Sequence, residues 1–251
     1  IQGNAAGINV VQTSGKPGSS FDVRIRGLSS INSENSPLYV VDGIQTKDIS
    51  GINAEDIVDL SILKDATATA IYGVNGSSGV VIITTKKGKS NKNDFQFSSY
   101  LGFSKAVSNV DVLNLTDYKT LITEINPNYL TTANDAKYAG KNTNWQDEIF
   151  RPAMIQSYQL TFSGGDNKTT YAISGGYFDQ KGVIINSDFK RYSLRLNLDR
   201  QIFNTLKVGT HMSGTHTISR TSATDVGGRD GVVNGALKMN PIQSVYANEE
   251  T

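Results

Sequence analysis

Cysteine is absent from this 251-residue chain, which removes disulfides, thiolate metal sites and cysteine nucleophiles together. Histidine is scarce. His211 and His216 stand five positions apart in a segment with strand alternation, so they point to opposite faces and make a poor shared metal site. Neither sign of charge prevails: Lys+Arg of 24 against Asp+Glu of 23 leaves a net charge of +1, which gives no general attraction to nucleic acid or anionic lipid. Long hydrophobic runs are missing too. The longest strictly aliphatic run is VVII at 80–83, against the roughly 18–20 residues of a spanning helix. The chain opens at IQGNAAGINVV with no initiator methionine and no charged and apolar leader, and it reads as the middle of something longer. No set of nucleophile, base and oxyanion donors emerges, so a non-enzyme without cofactor or metal is expected.

What is present changes character along the chain. Residues 1–89 mix short apolar strands (GINVV, DVRIRG, PLYVVDG, VDLSILK, GVVIITTKK) with the helical pattern KDATATAIYG, an α+β reading. Asp65 is placed to cap that helix and Gly73 to end it in a left-handed conformation. After the polar, basic boundary KGKSNKND, residues 94–251 carry a period of two. In DFQFSSYLGF, Phe95, Phe97, Leu101 and Phe103 share one face. In RYSLRLNLD, Tyr192, Leu194, Leu196 and Leu198 oppose Ser193, Arg195, Asn197 and Asp199. Similar alternation runs through residues 157–162, 170–177 and 206–213, giving about five strands in all.

A soluble sandwich and a membrane barrel both produce this alternation. The connections favour a barrel. They run long, short, long, short, long: from Ser104 to Met154, then GGDNK, DQKGVIINSDFK, RQIFN, and everything after Ser219. Outer-membrane barrels show that parity, with tight turns at one end and extended loops at the other. The first long connection holds its own helical pattern, NLTDYKTLITEINP, and the single tryptophan, Trp145, expected to pack this loop cover on the barrel mouth or to stack on a ligand.

GVNGSSG, at 73–79, invites a phosphate-cradle reading that its surroundings exclude. A P-loop runs strand, glycine loop, helix; here the loop follows a helix C-terminus, whose partial charge is negative, and lacks the Gly-Lys-Ser/Thr ending. Gly73, Gly76 and Gly79 are spaced by three, which is not G-x-G-x-x-G.

Taken in order, DVRIRG, NSPLYVVDGI, INAEDIVDLSILKDATATAIYG and NGSSGVVIITTKKGK closely resemble the plug domain of TonB-dependent outer-membrane transporters, and more narrowly their SusC/RagA branch. The resemblance continues through NWQDEIFR, SGGDNKTTYAISGGYFDQKGVI and SDFKRYSLRLNLD. It implies a fold class of α+β plug (1–89) followed by antiparallel transmembrane barrel strands (94–251), with about five of roughly 22 strands here. Five strands alone would leave two bare edges in lipid, at several kcal/mol per unpaired group, so a fragment is expected.

The same resemblance implies import across the bacterial outer membrane. The expected partners are TonB, through an upstream segment, a SusD-like surface lipoprotein, outer-membrane lipid, and an oligosaccharide or peptide ligand; nucleic acid is not expected. It places Ser29, Ser30, Asn32, Glu34 and Asn35 in one ligand-facing plug apex and Asn75, Ser77 and Ser78 in another, although small polar residues are also what turns ordinarily contain. It gives Arg24 and Arg26 the task of docking the plug on barrel carboxylates. Two alternatives stand beside it: the same transport with an iron chelate or cobalamin as cargo, and a secreted glycan-binding β-sandwich adhesin.

Overall fold

The VVII run becomes the centre of a small sheet. The computed structural model describes residues 9–12, 14–19, 21–24, 36–49, 51–64, 70–107, 110–130, 141–222 and 231–246. They form two compact units, one of Ile1–Leu101, Ile155–Gln180 and Phe189–Ser219, the other of Gly102–Met154, Lys181–Asp188 and Arg220–Thr251.

In the first unit, β1 (Asn9–Gln12) pairs antiparallel with β2 (Phe21–Arg24). A separate four-stranded sheet has the order β4-β3-β6-β5, from β3 (Leu38–Val41), β4 (Ile44–Thr46), β5 (Ile57–Leu63) and β6 (Val80–Thr85). β3 and β6 run parallel in the register Leu38↔Val80 to Val41↔Ile83. Alternate residues fill both faces: Tyr39, Val81 and Ile83 pack with Ile57, Leu60 and Ile62, while Leu38, Val40 and Val80 pack with Leu63, Tyr72 and Ile82. A central strand covered on both sides needs an unbroken apolar run, which is why VVII does not alternate. The β3–β4 turn is Asp42-Gly43 with φ of 50° and 91°, the left-handed pair that a tight two-residue hairpin requires.

The expected α-helix over KDATATAIYG differs in its describable part. Ala70–Gly76 is a 3-10 turn, broken at Gly73, whose φ of 60° and ψ of −147° lie in glycine-only territory rather than in the left-handed helical well. Asp65 lies outside the described residues.

The five later strands pair in the order β11-β10-β9-β8-β7: β7 (Asp94–Ser104), β8 (Ala153–Gly165), β9 (Thr169–Lys181), β10 (Asp188–Phe203) and β11 (Leu206–Arg220). β8 and β9 are antiparallel from Ile155↔Gln180 to Gly165↔Thr170. The connections 182–187 and 204–205 are too short for a parallel crossover, so β9–β10 and β10–β11 are antiparallel as well. The expected long loop DQKGVIINSDFK is shorter than its sequence suggests, because strand pairing extends to Lys181 and resumes at Asp188.

This sheet is inside out relative to a water-soluble one. On β10, Leu194 is 62% exposed while Asn197 is 2% exposed. Phe95, Phe97, Leu101, Phe103, Leu160, Phe162, Ile173, Val208 and Met212 are exposed as well, whereas Gln159, Thr161 and Ser174 are buried. A sandwich needs that apolar face against a second sheet, and here the apolar face is bare.

The second unit holds α1 (Leu115–Ile125), α2 (Trp145–Ile149) and α3 (Val232–Lys238). Asn114 and Asn144 cap the first two by accepting from Asp117 N and Gln146 N. The buried amide of Gln146 accepts from Val110 N at 2.8 Å and donates to Val110 O at 2.7 Å, satisfying one residue's backbone as a strand partner would. Burial raises the Tyr118 hydroxyl above its usual range, reinforced by the charge of Tyr129. Arg151 donates from Nε to Gly182 O and from an Nη to Ser187 O, which fixes the 182–187 turn.

Candidate functional site

The buried polar face of the five-stranded sheet meets the four-stranded sheet along a seam of hydrogen bonds and ion pairs within the first unit. Asn53 Nδ2 donates to Gln159 Oε1 at 2.6 Å, and Gln159 Nε2 donates to Asp56 Oδ1 at 2.7 Å. Arg195 follows, with Nε 3.8 Å from Asp56 Oδ2 and an Nη 3.9 Å from Asp42 Oδ2. Asp42 accepts from Thr85 N at 3.0 Å and from Thr85 Oγ1 at 2.5 Å. Asn197 Nδ2 donates to Thr85 Oγ1 at 3.0 Å and to Lys86 O at 2.8 Å. Those two bonds fix the Asn197 amide, so its Oδ1 accepts the proton carried by His211 Nδ1 at 3.1 Å.

Local backbone geometry sets several of these positions. Asp42 is aimed by the left-handed turn it helps to form. Asp56 ends a 3-10 turn, Ala54–Asp56, which Asn53 caps. Gly176 leaves room at the seam, since a Cβ there would run into Gln159 Oε1, Ser193 Oγ and Asn53 Nδ2. Further along, Gly88 passes so close to Gly164 and Tyr171 that a side chain would strike backbone. Asn91 N donates to Gly165 O, and Asn91 Nδ2 donates to Asn167 Oδ1, at the short-turn end of the five-stranded sheet. At the opposite end Gly18 N donates to Gln180 Oε1, and Gly18, with φ of +71°, packs on the Phe189 ring.

Comparison with known proteins gives this arrangement a family. Residues 1–80 match the TonB-dependent receptor plug domain. Over 256 residues the chain is 36% identical to TonB-dependent receptor P3 of Formosa agariphila, and over 264 residues it is 35% identical to TonB-dependent receptor SusC of Bacteroides thetaiotaomicron; each alignment covers all of this chain and 25% of the relative. The RagAB peptide transporter structure superposes with a TM-score of 0.79 at 31% identity, over 90% of this chain and 30% of the other. The chain is a SusC/RagA-type TonB-dependent receptor segment. It spans about a quarter of the length of the curated relatives it matches. The siderophore receptor PirA of Acinetobacter baumannii shares the fold, with a TM-score of 0.54 at 16% identity.

In this family's terms the four-stranded sheet belongs to the plug and the five-stranded sheet is part of the barrel wall. Of the residues expected at the plug apices, Asn75, Ser77 and Ser78 are described. They sit in the 73–79 segment, where Gly79 N donates to Gly76 O and Ser77 N to Val74 O. Leu38 N donates to Gly79 O, and the parallel β3–β6 register puts Pro37 and Gly79 at one end of the sheet, away from Lys86. Ser29, Ser30, Asn32, Glu34, Asn35 and Arg26 lie outside the described residues. Arg24 ends β2; only its backbone is described. Trp145 donates from Nε1 to Asn240 O at 2.9 Å, stitching the first long loop to the last.

Sequence reasoning placed Ser193, Arg195, Asn197 and Asp199 on one polar face but gave none of them a partner. It gave Asp42, Asp56 and Thr85 no role, and it put Gln159 on a polar strand face without a partner. The signal for Asp42 was the DG pair itself; for the others there was none short of the fold.

Proposed function

We propose that this chain is the plug (1–89) and the first wall strands (94–251) of an importer that carries an oligosaccharide or peptide across the bacterial outer membrane, coupled to TonB. The inside-out wall sheet carries this reading: its apolar side faces outward and its polar side holds a plug. Between outward Lys190 and Arg200 the outward positions are Tyr192, Leu194, Leu196 and Leu198. Ten residues at ~3.4 Å, tilted by about 40°, rise roughly 26 Å, close to the ~25 Å apolar band of such barrels. Tyr158, Tyr177, Tyr192 and His216 line up in a row across four strands, stacked or tilted with ring centroids 5.1–6.3 Å apart, as an interfacial aromatic girdle does. The outward residues next beyond that row are Gln156, Asp179 and Lys190, polar and joined in part by the Lys190–Asp179 ion pair.

The plug docks by amides and carboxylates rather than by grease, and such contacts exchange with water at low cost when the plug moves. The cargo classes follow the relatives, one of which is named a peptide transporter, and the small polar residues Asn75, Ser77 and Ser78, together with the Ser29, Ser30, Asn32, Glu34 and Asn35 that the family resemblance assigns to a second apex, suit hydroxyl-rich or peptide ligands. TonB engages an upstream segment, a SusD-like lipoprotein covers the mouth, and Arg24 and Arg26 add docking contacts. No bond of the cargo is made or broken.

Deleting the gene in its host tests the cargo. Growth should fail on particular glycans or peptides and persist under iron limitation. The reverse result would move the cargo to an iron chelate, and recovery of the protein from the soluble fraction would refute the importer.

A further inference from the structure

We propose that Arg195 is the electrostatic latch of the plug, a wall-borne cation held between two plug carboxylates. The inference rests on the importer reading above. The side chains of Asp42 and Asp56 are 3% and 4% exposed and that of Arg195 is 12% exposed, so all three charges are largely out of water. Each carboxylate already holds short hydrogen bonds, Asp42 to Thr85 and Asp56 to Gln159. Arg195 stands back at 3.8–3.9 Å from both. Its part is therefore Coulombic: it sits between two buried plug carboxylates, with Arg191 a second wall cation in electrostatic reach of Asp56. Removing one member of such a set costs far more than replacing all members by neutral groups, because the penalty lies in the charge left behind.

The position suits a latch. Asp42 belongs to the β3–β4 turn, and Asp56 precedes β5, whose first residue Ile57 pairs with Thr85. Arg195 thus grips both lateral strands of the plug sheet at one point, beside the exit of β6. The charge polarity is the reverse of the docking expected for Arg24 and Arg26, with the cation on the wall and the anions on the plug.

The test uses the complete transporter in its host, with TonB coupling disabled, and reads sensitivity to vancomycin, a glycopeptide too large for general porins. Arg195→Gln should lower the inhibitory concentration at least about fourfold. The triple variant Arg195→Gln, Asp42→Asn, Asp56→Asn should return it to the wild-type value, a rescue that loss of packing alone would not give. Lys190→Gln, which breaks an ion pair on the outer face, should leave it unchanged. A sealed Arg195→Gln transporter at normal outer-membrane abundance, or a triple variant as leaky as the single one, overturns the latch. If Arg195→Gln fails to reach the membrane, the double variant Asp42→Asn, Asp56→Asn, which leaves Arg195 without either carboxylate, decides: TonB-independent leakage supports the latch and a tight seal overturns it. Failure of the wild type to import any cargo once TonB coupling is restored would count against the importer reading instead.

Discussion

At Asn197 one amide serves three neighbours, donating to Thr85 Oγ1 and Lys86 O and accepting from His211. Replacing it by leucine would leave Lys86 O without its side-chain donor, at about 1–3 kcal/mol for a buried unsatisfied group, and would take one bond each from Thr85 Oγ1, which still donates to Asp42, and from the part-exposed His211. Asn197→Leu should therefore loosen the plug, seen as faster hydrogen exchange at Thr85 and Lys86 with the wall strands still protected. Unchanged exchange there would remove Asn197 from the docking set. Gly176→Val should act on the same seam by separating Asn53 from Gln159, at roughly 1–3 kcal/mol; a crosslink between cysteines placed on plug and wall would form more slowly.

Asp166, in the β8–β9 turn, behaves differently because it is exposed. The backbone N–H groups of Lys168 and Thr169 donate to its carboxylate, each at 2.7 Å, and hold its pKa below the usual carboxylate range. With the folded value depressed, its contribution to the turn is present above the unfolded carboxylate pKa and is lost as pH falls through the folded one. A carboxyl-carbon NMR titration should show Asp166 protonating at lower pH than an exposed aspartate without such donors. An ordinary midpoint would contradict the capped turn.

At the scale of elements, β10 carries the decision between water and lipid. Leu194→Arg places a charge near the middle of the outward face and should cost about 2–4 kcal/mol of insertion into the bilayer. Ser193→Arg, one residue earlier on the polar face, should leave membrane assembly intact. The check is the folded fraction recovered from outer membranes. Equal effects of the two would mean that the faces are misassigned.

The strands of this wall were legible because a period of two is a local property. Tyr192, Leu194, Leu196 and Leu198 show it without any partner. Which side faces the core was not legible from that period, since a sandwich and a barrel share it; the exposure of Leu194 and burial of Asn197 decide it. The helix expected across residues 64–73 can be judged only from Ala70, where the turn is 3-10 rather than α and is broken, as the sequence suggested, at Gly73. Asp42, Asp56 and Arg195 were illegible as a set. Arg195 stands on the wall sheet, far in sequence from the plug carboxylates Asp42 and Asp56, and only the docked fold brings it within reach of them.

At the scale of the whole molecule, the five strands end in two edges, β7 and β11, that hydrocarbon cannot satisfy. The account requires further strands of the complete protein to pair with both. Site-directed spin labelling of the complete transporter in lipid tests the central claim most directly, with single labels at positions 193 and 194. Label at 194 should collide freely with oxygen dissolved in the bilayer and hardly at all with a water-soluble nickel chelate, while label at 193 should be sheltered from oxygen. If both positions report water, or if 194 is shielded from both reagents by protein, the outward face does not meet lipid and the importer account fails.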